Sequence, residues 1–291
     1  MGRRAIPLRV AAALLPVLLT ALAGGLAIAV MVRFSPGFGC DEEQMDPRLS
    51  RASIQAMRQT HDQERNPLRF YAAWAGRVLS GDAGMSPSLH RPVATLLAER
   101  TPVTVGLMGA GLLGAWLIAI ALALPAAAGG LPRLDGACTT LSAVAACLPA
   151  AGMAVLLFQF GGSATWMIAA ILFPRIYQYL RNLLRQGYGT PHVLLARAKG
   201  LGRWPILFRH VVRPARPQLL SLAAVSANMA FGAAVAVEAV CDLPGLGQLA
   251  WKAALARDLP LLVGLTVLIT LMTQFSSLAA DLCAAPARSR A

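Results

Sequence analysis

Acidic side chains are scarce in this chain. Its 291 residues hold 13 Asp and Glu against 26 Lys and Arg, a formal net charge of +13. Charge of either sign is thin as well, at 13%, about half the roughly 25% of a soluble domain. Hydrophobic residues reach 57%, so a soluble globular protein is excluded and an integral membrane protein remains. The shortage of acids also removes most catalytic chemistry. Inside the apolar runs only Arg175, Arg181 and, at the margins, Glu238 and Asp281 ionise, while His61, His90, His192 and His210 all fall in loops. No acid pair, Ser/His set or metal cluster can be assembled from these, and an enzyme is not expected. A G-x-x-x-x-G-K-[ST] string is missing, so ATP hydrolysis by this chain is not expected either. Without acids at the midplane of a span, an ion-coupled secondary transporter is the weaker alternative. The five cysteines, Cys40, Cys138, Cys147, Cys241 and Cys283, include no C-x-x-C pair, which disfavours zinc and thioredoxin-like chemistry. Cys40 and Cys241 are expected on the outer side, where a disulfide is chemically possible. The acids Asp41, Glu42 and Glu43 lack a histidine or any fixed geometry and read as a solvated loop.

What the chain does have is long apolar runs. Six are expected to be helical spans: Val10 to Val32, Val103 to Ala128, Ala137 to Phe160, Ala164 to Leu184, Gln218 to Val240 and Leu261 to Cys283. About 20 residues at 1.5 Å each cross a hydrocarbon core of roughly 30 Å. The first run is longer than a signal-peptide core and lacks a clear cleavage site, so it reads as an uncleaved span. Pro149 falls inside the third run and predicts a kink lining a pathway or a packing adjustment. Arg175 falls inside the fourth, where a central guanidinium costs about 2.5–3.5 kcal/mol on insertion scales. It is expected to face the bundle interior or water, lining a pathway or bonding a carbonyl, or to snorkel toward the cytoplasm. Residues 1–33 then form the first transmembrane helix and 34–102 a long outer loop. Residues 103–284 form a five-helix core, and 285–291 a tail. Within the outer loop, Phe70, Tyr71, Trp74 and Val78 mark an apolar helix face suited to the bilayer surface or the bundle.

The basic residues are not spread like a nucleic-acid footprint. Seven of them (Arg185, Arg197, Lys199, Arg203, Arg209, Arg213 and Arg216) sit without an acid in the loop 185–217. Such loops are retained in the cytoplasm, which places both chain ends inside as well. No nucleic-acid partner is expected; the lipid bilayer is. The loop has structure of its own. Thr190 and Pro191 read as N-cap and first helical residue, and Gly200 as the left-handed position that ends the helix. Leu194, Ala198 and Leu201 share a face that is expected to pack and hold so short a helix. A second short helix is expected from Trp204-Pro205 to before Pro214.

The string ARAKGLGRWPILFRHVVRPA, Ala196 to Ala215, closely resembles the coupling loop of binding-protein-dependent ABC importer permeases of the dipeptide/oligopeptide type. Two further strings are similar to the same family. LSGDAGMSPSLHRPVATLLAERTPVTVGL carries Gly81, Asp82, Gly84, Ser86, Pro92, Val93, Arg100, Pro102 and Thr104 of the segment before the second span, and points to the B-type subunit. VEAVCDLPGLGQLAWKAALARDLPLLVGL carries Glu238, Pro244, Gly245, Gly247, Arg257, Asp258 and Pro260 of the outer loop, with Cys241 where Phe is usual.

The resemblance implies an all-α polytopic permease in the bacterial cytoplasmic (inner) membrane, with six transmembrane helices. Its ATPase-coupling residues would be Thr190, Leu194, Ala196, Ala198, Lys199, Gly200, Leu201, Arg209 and His210. Its partners would be a homologous second permease, two ABC ATPase subunits and an extracytoplasmic solute-binding protein. No cofactor would be bound by this chain, ATP and Mg residing on the ATPases. The expected solutes are di- or oligopeptides, with nickel chelates, glutathione or other small solutes as alternatives.

Overall fold

The computed structural model describes residues 5–33, 67–129 and 132–288, and they are almost wholly helical. Cys40, the Asp41–Glu43 acids, His61 and the loop up to residue 66 lie outside the described residues. The helices are α1 (Ala5–Arg33), α2 (Pro67–Leu79), α3 (Val93–Gly129), α4 (Pro132–Ala146), α5 (Ala150–Gln159), α6 (Ala164–Tyr188) and α7 (Pro191–Ala198). They continue as α8 (203–212), α9 (Arg216–Val240), α10 (Leu246–Leu255) and α11 (Leu259–Arg288). The strands β1 (Met85–Ser86) and β2 (Arg91–Pro92) form one short antiparallel pair before α3.

Three helices are long and apolar enough to cross a membrane, over Val93–Ala127, Arg216–Val240 and Leu259–Leu278. A fourth crossing is available if α4 and α5 are taken as one bent pair. That pair corrects the expected kink at Pro149. The axes of α4 and α5 diverge by 107°, and Pro149 is the extended residue that starts α5, with φ −65° and ψ 144°. Pro149 has no N–H to offer, and its ring resists a helical residue before it, so the run breaks instead of bending. Helix α6 has 25 residues, about 37 Å at 1.5 Å each. It misses the apolar set because it also carries Arg175, Gln178, Arg181, Asn182, Arg185 and Gln186. Helix α3 runs unbroken from Val93 through Pro102 to Gly129, beginning before the expected start of the second span at Val103.

The chain forms two compact units, Met1–Thr101 with Leu249–Gln274, and Pro102–Gln248 with Phe275–Ala291. In the first, the amphipathic α2 lies on the bundle. Tyr71 and Trp74 are buried with Ala29, Leu259 and Val263, and the Tyr71 hydroxyl donates to the Leu22 carbonyl at 2.7 Å. Val78, expected on the same face, is exposed. In the second unit, α6 is the central strut. Ile168, Leu172, Ile176, Leu180 and Leu184 are each nearly inaccessible, and α4, α5 and α9 surround them.

Candidate functional site

The basic loop folds into a helix pair on the end of α6. Thr190 is the N-cap of α7 and Pro191 its first residue. The Thr190 hydroxyl, however, donates to the Gly187 carbonyl at 2.6 Å and accepts no backbone N–H of α7, which corrects its expected capping role. The exit is a Schellman closure: the Leu201 N–H reaches the Ala196 carbonyl at 3.3 Å and the Gly200 N–H the Arg197 carbonyl at 2.9 Å. Gly200 holds φ at +77°, where a Cβ would be strained. Helix α8 opens with one turn, Arg203–Pro205, and continues over Ile206–Val212 with the wider π winding. A bond from the Arg213 N–H to the Phe208 carbonyl five residues back marks that winding. His192 and the His210 carbonyl, 2.9 Å apart, tie the two helices together.

Which face of α7 packs also differs from expectation. Val193 and Ala196 are buried, whereas Leu194, Leu195, Ala198 and Leu201 are exposed. Trp204 and Phe208 stack at 6.1 Å and are exposed as well. Around them stand the exposed cations Arg197, Lys199, Arg203 and Arg209. Arg197 lies over the Tyr188 ring, 5.3 Å from its centroid, at the end of α6. The helix pair therefore anchors by Val193 and Ala196 of α7 and Ile206, Leu207 and Val211 of α8, and shows Leu194, Leu195, Leu201, Trp204, Phe208 and the basic side chains.

The other predicted residues fall into two separate clusters. In the second unit, Glu238 of α9 is buried and its Oε2 accepts the Gly247 N–H at 2.6 Å. The Thr104 hydroxyl accepts the Leu246 N–H at 2.8 Å. A Cβ on Gly245 would stand 2.2 Å from the Glu238 carboxyl, and one on Gly247 2.5 Å from Val235 Cα. Only glycine fits there, so Pro244–Gly247 is a turn wrapped directly on a carboxylate. Cys241 is a free thiol 3.6 Å from the Met167 sulfur, and burial pushes its pKa up, keeping it a neutral packing group. Its expected partner Cys40 lies outside the described residues.

In the first unit, Asp258 is the centre. Its carboxylate accepts the Ser86 hydroxyl, the Ser88 hydroxyl at 2.6 Å and the Leu261 N–H at 3.1 Å. Asp82 closes the turn before β1, its Oδ1 accepting the Gly84 N–H at 2.8 Å, and Gly81 takes φ +88°. Arg257 is exposed and sits at φ +53°, the left-handed end of α10. The sequence strings around Ser86 and Asp258, 172 residues apart, thus meet at one carboxylate.

Of the two predicted pathway residues, Pro149 is exposed at the α4–α5 break. Arg175 is exposed near the middle of α6 and has no hydrogen-bond partner among the described residues. One cluster was missed by the sequence reading. Asp135, near the start of α4, is buried and accepts both Arg181 and Arg185 of α6, with the Tyr177 hydroxyl at 3.4 Å. The signal was available: Asp135 is the only acid between Glu99 and Glu238. A lone carboxylate entering such a bundle needs a cation, since an unpaired buried ion costs several kcal/mol.

Comparison with known proteins points one way. The family model described as binding-protein-dependent transport system inner membrane component matches residues 115–285. A Brucella suis protein named as a peptide permease is 26% identical over 279 residues, covering 85% of this chain and 87% of that one. The oligopeptide transport system permease protein of Bacillus subtilis is 25% identical over 267 residues, 82% of this chain and 84% of its own. The dipeptide transport system permease protein of Lactococcus lactis subsp. cremoris is 22% identical over 259 residues, 82% and 86% respectively.

Proposed function

Because the chain belongs to the inner membrane components of binding-protein-dependent transport systems, we propose that it is one permease subunit of an ATP-driven peptide importer. The relatives named for peptide, oligopeptide and dipeptide transport support the solute class. The importer core is residues 103–284. In this reading six helices cross the inner membrane, with both chain ends and the α7–α8 pair in the cytoplasm. Helices α1 and α6 and the α4–α5 pair supply the crossings beyond the three long apolar helices. A homologous permease completes the passage, two ATPase subunits carry ATP and Mg, and an extracytoplasmic solute-binding protein delivers the peptide. The chain itself hydrolyses nothing.

One observation carries this reading. The α7–α8 pair is tied to the end of α6 through Thr190 and Arg197 yet exposes Leu194, Leu195, Leu201, Trp204 and Phe208 among cations. A contiguous apolar surface rimmed by charge marks a protein contact. An ATPase seated there would move α6 when it closes on ATP, and α6 is the centre of its unit.

The test is a substitution on the exposed face. Leu194→Asp should leave the membrane level of the protein unchanged, because Leu194 touches little of its own chain. It should weaken ATPase recovery in a mild-detergent pull-down at least tenfold, about 1.4 kcal/mol of binding, and abolish peptide uptake. ATPase recovery and uptake at wild-type levels would remove the coupling assignment.

A further inference from the structure

Helix α6 presents two unlike sides. Leu172, Ile176, Leu180 and Leu184 are buried on one. Arg175, Tyr179, Asn182 and Gln186 are exposed on the other. At 100° per residue these four fall within about 60° of one another, so they form a single polar stripe. It starts at the middle of the helix and runs to the end that leads into α7. Lipid is a poor neighbour for this stripe. From Arg175 the ends of α6 are roughly 17 and 20 Å away along the axis, beyond what one side chain spans by snorkelling. A guanidinium held in hydrocarbon at that depth is costly even on the mildest insertion scale. Nor is the charge neutralised nearby in its own unit: Asp135 is already bonded to Arg181 and Arg185.

Resting on the reading of the chain as half of a peptide passage, we propose that this stripe lines water and that Arg175 binds the carboxylate of the solute moving past it. A guanidinium fork matches a carboxylate with two parallel hydrogen bonds, and strengthens where water is partly excluded. Every unmodified peptide carries such a group at its C-terminus. Tyr179 and Asn182, one turn and two turns further on, offer a hydroxyl and an amide to the peptide backbone behind it. The contact is a single one, which suits a transit point: it selects charge without holding the solute.

The experiment uses the assembled importer in membrane vesicles, with the native cysteines replaced and single cysteines placed at positions 175, 179 and 182, and at buried 176. Charged methanethiosulfonates probe accessibility, and labelled trialanine probes uptake. Cysteines at 175, 179 and 182 should react and the one at 176 should not. Arg175→Cys should lower trialanine uptake about tenfold, and Arg175→Lys should keep most of it. Modifying the Arg175→Cys importer with the trimethylammonium reagent should restore uptake, while neutral and sulfonate reagents should not. Silence of all three stripe cysteines would show the face covered by lipid or a partner subunit and overturn the proposal. Reaction at position 175 with uptake indifferent to the charge attached would overturn the carboxylate contact. An importer that takes up no trialanine at all would instead overturn the peptide reading beneath it, and the carboxylate contact with it. The labelling pattern tells these failures apart, because it is read without transport.

Discussion

A Cβ on Gly245 would stand 2.2 Å from the Glu238 carboxyl, whereas a Cβ on Gly200 would meet nothing within 4 Å. Both glycines sit in turns between helices, and both belong to strings that resemble the family's. The turn before α10 is closed on its own chain: glycine is needed there because there is no room. The turn after α7 is open: glycine is needed there for its backbone angle, φ +77°, and the surrounding surface is left free. The difference separates a turn that fills its own space from one that leaves large side chains exposed, as the proposed ATPase contact requires.

Gly245→Ala should break the closed turn outright. The added methyl must displace a buried carboxylate that would then lose the Gly247 N–H, a combined cost of about 3–5 kcal/mol. Membrane levels of the protein should fall several-fold in an immunoblot, and adding Glu238→Ala should recover part of the loss by vacating the space. If Gly245→Ala accumulates normally, the turn is not closed as described. Gly200→Ala should cost only about 1 kcal/mol, the strain of a left-handed alanine. Levels should stay near normal while uptake drops, since the strain shifts the path from α7 to α8. A fall in level matching that of Gly245→Ala would erase the contrast. The smallest effect is expected at Arg257, which ends α10 through the same closure, its N–H reaching Ala254 and that of Asp258 reaching Ala253 at 2.9 Å. Arg257 holds φ +53° without being glycine. Arg257→Gly should therefore stabilise by about 0.5 kcal/mol, the relieved strain being partly offset by a freer unfolded chain. A thermal-shift measurement showing marked destabilisation would mean that the Arg257 side chain itself is needed.

Local chemistry was the readable layer of this sequence. Pro191 and Gly200 bracket a helix whatever surrounds them, and the structure has Pro191–Ala198 with Gly200 left-handed. Tyr71 and Trp74 declared a buried face because their spacing allows no other pairing on a helix. What escaped depends on neighbours far along the chain. Leu194, Ala198 and Leu201 make a face by spacing, but whether that face packs inward is decided by α6 and α8, which seat Val193 and Ala196 instead. Pro149 permits a kink or a break, and the choice of 107° belongs to the helices around it. Asp135 belongs to no motif, and it is α6 that brings two arginines to it. Its isolation among so many cations was the clue, and it lay in composition rather than in any motif.

The Asp135 cluster also has a mechanical meaning. Arg181 and Arg185 are one turn apart on α6, so the carboxylate is gripped at two heights along the same axis. One grip would be a pivot, about which α4 could swing; two grips remove that swing. The start of α4 and the last turns of α6 therefore travel together, as a beam bolted twice travels with its column. A shift of α6 would therefore be shared by the start of α4, and the nearest break along that path is the bend at Pro149.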